Sequence, residues 1–320
     1  MKRVVLIGFL ATVLGGGIAM AQADDAAEKT VGWFNASELS LVVTEGNSNT
    51  DTFALKNSLK RVWEKSRVKL DFDGMRADTS DDRFLLADPG QTFLPGEMPT
   101  LTATMLITPS KESDAEKYFV EGRFTRKLSD RRSWNTGGSW DRNQDAGILN
   151  RYIVFGGVGN HWKSGEKFNL ETSYGLSFTD REEETPDPEK EQRFAGVRLT
   201  ADLDYKIRTA TTLSYKFTGN LNAEDTNDFS LDTTGSVSVS MSKRLALKLS
   251  LQFLFNSEPA LEDVDLVARL ELVDPDGMPG SGDEFFETVL DGGIEIEFGE
   301  DRIRKTELDT VVRTSLVINF

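Results

Sequence analysis

Long stretches of this chain alternate between apolar and polar residues. In 167–178, Phe168, Leu170, Thr172, Tyr174, Leu176 and Phe178 interleave with Lys167, Asn169, Glu171, Ser173, Gly175 and Ser177. The same period returns in 195–207, 213–221, 229–241 and 245–256. Successive side chains of a strand point to opposite faces, so each segment predicts a strand with one apolar and one polar face. Six earlier segments read the same way: 33–44, 51–63, 66–78, 117–128, 133–143 and 151–162. With a closing segment at 306–320 the count is twelve, and an even count returns both termini to one side of a barrel.

The links between these segments alternate in length. Short links fall near Glu64-Lys65, Asp130-Arg131, Ser164-Gly165, Thr209-Ala210 and Lys243-Arg244, and long ones cover 79–116, 180–193 and 258–305. Short turns on one side and long loops on the other are the outer-membrane pattern, with the long loops extracellular. Within the last long loop, Val267 to Val273 and Ile294 to Phe298 read as an extra hairpin. Trp33, Trp63, Trp134 and Trp162 all fall at the short-turn ends of their strands and on the apolar face. That placement predicts an aromatic girdle at a membrane interface. Arg61, Arg76, Arg126 and Arg142 fall on the same face near strand ends, where long side chains can reach headgroups, while Asn57 sits there in mid-strand without an evident partner.

Composition then narrows the compartment. Residues 1–23 read as a leader: Lys2 and Arg3, an apolar run from Val4 to Ile18, and small-residue cleavage sites at Ala19-Met20-Ala21 and Ala21-Gln22-Ala23. Removing its two basic residues takes the net charge from −16 to −18, against any nucleic-acid partner. There is no Cys, which excludes disulfides and thiolate metal sites. A hydrophobic fraction of 38% suits a barrel that gives only alternate residues to lipid. The reading is therefore all-β: a transmembrane antiparallel β-barrel of about twelve strands over 24–320, in the outer membrane of a Gram-negative bacterium. A soluble barrel or sandwich shares the alternation, but not the leader, the loop asymmetry and the tryptophan placement together.

Several motifs carry a resemblance. Trp33 opens the first strand and Glu45-Gly46-Asn47-Ser48-Asn49-Thr50 follows it. Arg151-Tyr152 precedes Gly156, Gly157 and Gly159, and Thr306-Glu307-Leu308-Asp309-Thr310 leads to Phe320. With these the chain resembles the salt-induced outer-membrane protein family, a barrel family catalogued as a domain of unknown function. The resemblance implies an outer-membrane barrel inserted by the barrel-assembly machinery, with periplasmic chaperones on the way. Phe320 would end its recognition signal. It implies no settled activity, and the loops at 79–116 and 258–305 are longer than the family pattern.

Candidate chemistry lies inside and at the loops. The polar faces carry Glu171, Arg198, Asp202, Asp204, Lys206, Lys216, Asp232 and Lys248. These either line a narrow channel for small polar solutes or pair and fill a closed lumen. The alternative function is thus a closed barrel that stabilises the envelope or presents its loops to a partner. No enzyme is expected: the single His161, one residue before a girdle tryptophan, reads as a structural polar residue. Gly157-Val158-Gly159 is a fragment of a dinucleotide fingerprint without the strand–helix context, and glycine on a curved strand explains it better. The acidic run 182–191 reads as a solvated loop, and Asp274, Asp276, Asp283 and Glu284 offer oxygen ligands to Ca²⁺ without EF-hand spacing. No other cofactor is expected. The expected surroundings are outer-membrane lipids and lipopolysaccharide, the latter bridged to the acidic loops by divalent cations.

Overall fold

The computed structural model describes residues 31–45, 50–98, 102–165, 167–290 and 292–319. The leader 1–23, the turn 46–49 and Phe320 lie outside the described residues. Twelve strands close into one antiparallel barrel: β1 (Gly32–Glu45), β2 (Thr50–Val62), β3 (Ser66–Ala87), β5 (Ala103–Lys127), β6 (Arg132–Asn143), β7 (Ile148–Ser164), β8 (Phe168–Glu183), β9 (Arg193–Arg208), β10 (Thr211–Asn222), β11 (Phe229–Ser240), β12 (Leu245–Asn256) and β16 (Leu308–Asn319). Each pairs with the next, and β16 pairs with both β12 and β1, so the wall has no free edge. All twelve segments expected from alternation are wall strands.

The alternation has the expected physical outcome. Leu39, Phe53, Leu176, Leu199 and Leu249 stand exposed on the outer face of the wall. Their neighbours in sequence point inward, among them Ser40 and Ser177, both buried. An apolar outside and a polar inside is the surface of a membrane-spanning barrel. Asn57 finds its partners on this outer face, donating to Asn35 Oδ1 at 2.8 Å and Ser37 Oγ at 2.9 Å. Polar residues that satisfy one another in this way need no water. Close packing within the wall explains the central glycines. Gly157 and Gly175 face each other across β7 and β8, and a Cβ on either would run into the partner strand's backbone.

Two loop expectations are corrected. The segment 79–116 is mostly strand, because β3 and β5 stay paired as far as Ala87 and Ala103, well past the neighbouring strands. The segment 258–305 is likewise structured. It holds β13 (Leu261–Val273), β14 (Phe285–Thr288) and β15 (Ile294–Arg304), with β13 and β15 forming the expected hairpin. β13 also lies parallel to the tip of β3, and β14 pairs with β13 and with the short β4 (Thr92–Phe93). The result is a platform beyond the wall with its own apolar centre. Ala87, Phe93, Ala268 and Leu270 form one cluster, and Phe84, Leu86 and Val267 another.

Candidate functional site

The inner face of the wall holds charges that reach across the barrel. Arg67 on β3 donates to both carboxylate oxygens of Glu171 on β8, at 2.9 and 2.8 Å. Arg198 on β9 meets Glu121 on β5 at 2.8 Å. Arg313 on β16 and Lys56 on β2 share Asp73 on β3, at 2.7 and 3.2 Å. Lys248 on β12 meets Glu38 on β1 at 2.8 Å. Bidentate and shared pairs of this kind satisfy charges that strand alternation forces inward. Apart from Lys56 and Asp73, which face each other on the neighbouring strands β2 and β3, such pairs fasten non-adjacent strands to one another, and no neighbour-to-neighbour sequence pattern reports them.

All eight residues expected to line the lumen lie on the inward face. Glu171, Arg198 and Lys248 take part in the cross-barrel pairs just described. Asp204 accepts from Ser214 at 2.5 Å, and Asp232 accepts from Gln252 at 2.9 Å. Lys206 lies further down β9 toward the short turn. Lys216 differs from the others: it is exposed although it stands in the middle of β10, and Asp202, Asp71, Asp204 and Glu38 supply the opposing charge around it. The lumen is thus not uniformly filled. Its other half is tighter, with Val42, Ala54, Met75 and Val311 packed as an inward apolar cluster and Arg198 lying over the ring of Phe155 at 4.5 Å.

The long-loop mouth is covered. The acidic run 182–191, expected to be solvated, folds over it with Glu183, Thr185, Asp187 and Lys190 buried. Lys190 bonds Glu183 and the Glu258 carbonyl, while Arg181 meets Asp228 at 2.9 Å and the Glu191 carbonyl at 2.6 Å. Arg304 of β15 holds Asp187 at 2.8 Å, which ties this loop to the platform. Burial and the nearby Arg181 guanidinium hold the Lys190 ammonium below the ordinary lysine range, against the pull of Glu183. Single-sequence reading saw only an acidic stretch here, because the groups that fix it, Asp228, Glu258 and Arg304, lie on other elements.

At the opposite mouth, Trp33, Trp63 and Trp162 are exposed on the outer rim, and Trp134 packs against Phe124 at 5.3 Å. Arg61 lies over the rings of Trp33 and Trp63, at 5.3 and 5.4 Å. Arg126 and Arg142 also face outward, while the side chain of Arg76 lies outside the described part. Just inside this rim is a small open recess lined by Lys60, Trp63, Arg67, Lys127 and His161, with Val62, Ser66 and Thr125 between them. His161 Nδ1 stands 3.7 Å from Glu171 Oε2, and its buried Nε2 has no hydrogen-bond partner. Ser66 borders the same recess, and among the described residues no serine hydroxyl is hydrogen-bonded to the imidazole.

On the platform, Asp274, Asp276 and Asp283 bring carboxylate oxygens within 4.8 Å of one another. Glu284 is turned away from that group, because the Gly280 and Gly282 amides donate to it. Those backbone bonds hold its carboxyl below the usual range. Exposed acidic turns commonly take this form, so the triad by itself assigns no ion.

Among solved structures, the NanC porin is similar at 10% identity and a TM-score of 0.46, covering 88% of this chain and 98% of its own. The KdgM porin in complex with disordered oligogalacturonate is similar at 8% identity and 0.40, covering 89% and 99%. An anion-selective porin from Comamonas acidovorans follows at 10% identity and 0.34, covering 91% and 99%. Likeness at this level carries nothing about what this barrel handles. No curated protein matches the chain. A family model does match, over residues 37–273, and by it the chain belongs to DUF481, a family of proteins of unknown function.

Proposed function

We propose that this protein is an integral outer-membrane barrel and a narrow conduit for small polar solutes. The observation that carries the reading is Lys216, exposed in the middle of the lumen wall and faced by acids from several strands. Water that reaches an ammonium there can also carry a small ion or solute to it. The cap over the long-loop mouth is then the restriction, held by Arg181, Lys190 and Asp187. In this reading residues 1–23 are removed on export, the assembly machinery reads the closing strand through Phe320, and the acidic platform meets lipopolysaccharide through divalent cations.

The test is current through a planar bilayer containing the refolded protein. Discrete steps are expected, small in the wild type and larger when Arg181→Met loosens the cap. A second reading, a closed barrel that displays its platform, is favoured by the buried ion pairs of that cap. Silent membranes from both proteins, each shown folded by its gel mobility before heating, would establish the second reading instead.

A further inference from the structure

We propose that the recess at the short-turn mouth, built by Lys60, Arg67, Lys127 and His161, binds a free oxyanion such as a phosphate or carboxylate group. These residues come from β2, β3, β5 and β7, and all of them point inward. The charge count favours an anion. Arg67 is matched by Glu171 in a bidentate pair, and among the described residues neither Lys60 nor Lys127 has a carboxylate in an ion pair. A surplus of positive charge therefore faces an open space at the end of the barrel. Ammonium groups and an imidazole together offer charge-assisted hydrogen bonds of the kind that hold oxyanions.

A second observation points to a ligand independently of charge. The His161 side chain is only 10% exposed, yet its Nε2 has no partner. A buried polar atom left unsatisfied is uncommon and is costly unless something arrives to bond it. The chain also bulges between His161 and Lys163, where the pairing of β7 with β8 shifts register. Bulges re-aim side chains at the rims of barrels and beside binding sites. The next residue, Trp162, turns outward and donates to Thr172 at 2.7 Å, so the imidazole and the girdle indole part to opposite faces. The basic side chains and His161 point inward while Trp63 of the rim borders the recess, so the lipid composition in the experiment below separates a dissolved anion from a lipid headgroup. The site goes beyond the conduit reading and stands whether or not the lumen conducts.

The single histidine makes the test site-specific. The full-length mature protein, without a histidine tag, is labelled at histidine and placed in nanodiscs of zwitterionic lipid. Inorganic phosphate is titrated while the imidazole signals are followed by NMR. A saturable shift is expected that chloride at equal ionic strength does not produce. Lys60→Gln and Lys127→Gln should each weaken phosphate binding about tenfold, the scale of one charge-assisted hydrogen bond. Lys243→Gln, on an exposed turn at the same end, should leave it unchanged. The proposal is overturned if phosphate and chloride act alike, if both lysine variants bind as the wild type does, or if anionic lipid alone produces the shift.

Discussion

At the long-loop end, Lys190 and Glu183 are each 2% exposed at the side chain and are bonded to one another. At the short-turn end, Lys60 and Lys127 face an open recess beside a half-matched histidine. The chain spends its charges differently at its two mouths. One end uses them to fasten loops over the lumen, and the other leaves cations accessible from solution. The contrast extends to the bulk. Residues 258–305, most of the platform, hold 15 acidic and four basic residues, a net of −11 out of −16 for the whole chain. A dipolar arrangement of this sort attracts cations toward the platform and anions toward the opposite mouth.

That contrast can be strained at each end and at the belt between them. The largest effect is expected at the covered mouth. Arg181→Met leaves Asp228 and Glu183 buried with less positive charge, and breaking a buried pair costs about 3–5 kcal/mol. Urea unfolding in lipid vesicles measures it; a loss under 1 kcal/mol would mean the cap is not held as described. At the belt, Leu176→Arg places a charge on the most exposed apolar position of β8. The cost is about 2–4 kcal/mol if that position meets the bilayer centre, read by the same unfolding. Also in the belt, Gly157→Ala should cost about 1–3 kcal/mol because its Cβ meets the facing strand. Gly235→Ala, with open space around it, should be neutral or stabilising by up to about 1 kcal/mol. Equal costs for the two glycines would refute the close approach of β7 and β8. The smallest loss belongs to the other rim, where Arg61→Gln should cost about 1 kcal/mol by removing its stacking on Trp33 and Trp63.

The wall was legible because one period decides it: residues such as Leu199 and Thr200 need only their neighbours to assign their faces. The tryptophans at the short-turn rim were legible for the same reason. The upper parts of β3 and β5 were not. Asp78-Thr79-Ser80-Asp81-Asp82-Arg83 is polar on both faces, since it stands beyond the membrane and has no lipid to exclude. The cross-barrel pairs were hidden too. Arg67 and Glu171 are 104 residues apart and meet only through the curvature of a closed sheet. Parity places both inward but does not say which strands oppose. The basic recess was more accessible than it looked: Lys60, Arg67, Lys127 and His161 are all inward positions at short-turn ends. Sorting inward residues by height, and not only by face, would have gathered them.

β12 and β16 are adjacent in the wall, yet the whole hairpin of β13 and β15 lies between them in sequence. The chain therefore leaves the barrel and re-enters it at a single seam. Whatever is spliced there can lengthen, shrink or be exchanged while β12 and β16 keep their pairing, with the tip of β3, β4 and the 182–191 loop losing contacts to it, because closing a longer excursion adds little entropic cost. Such a seam works as a docking port for new sequence. A lineage could restyle what it shows the outside world and inherit the same tube beneath it, and a protein engineer could graft a foreign epitope at the same place.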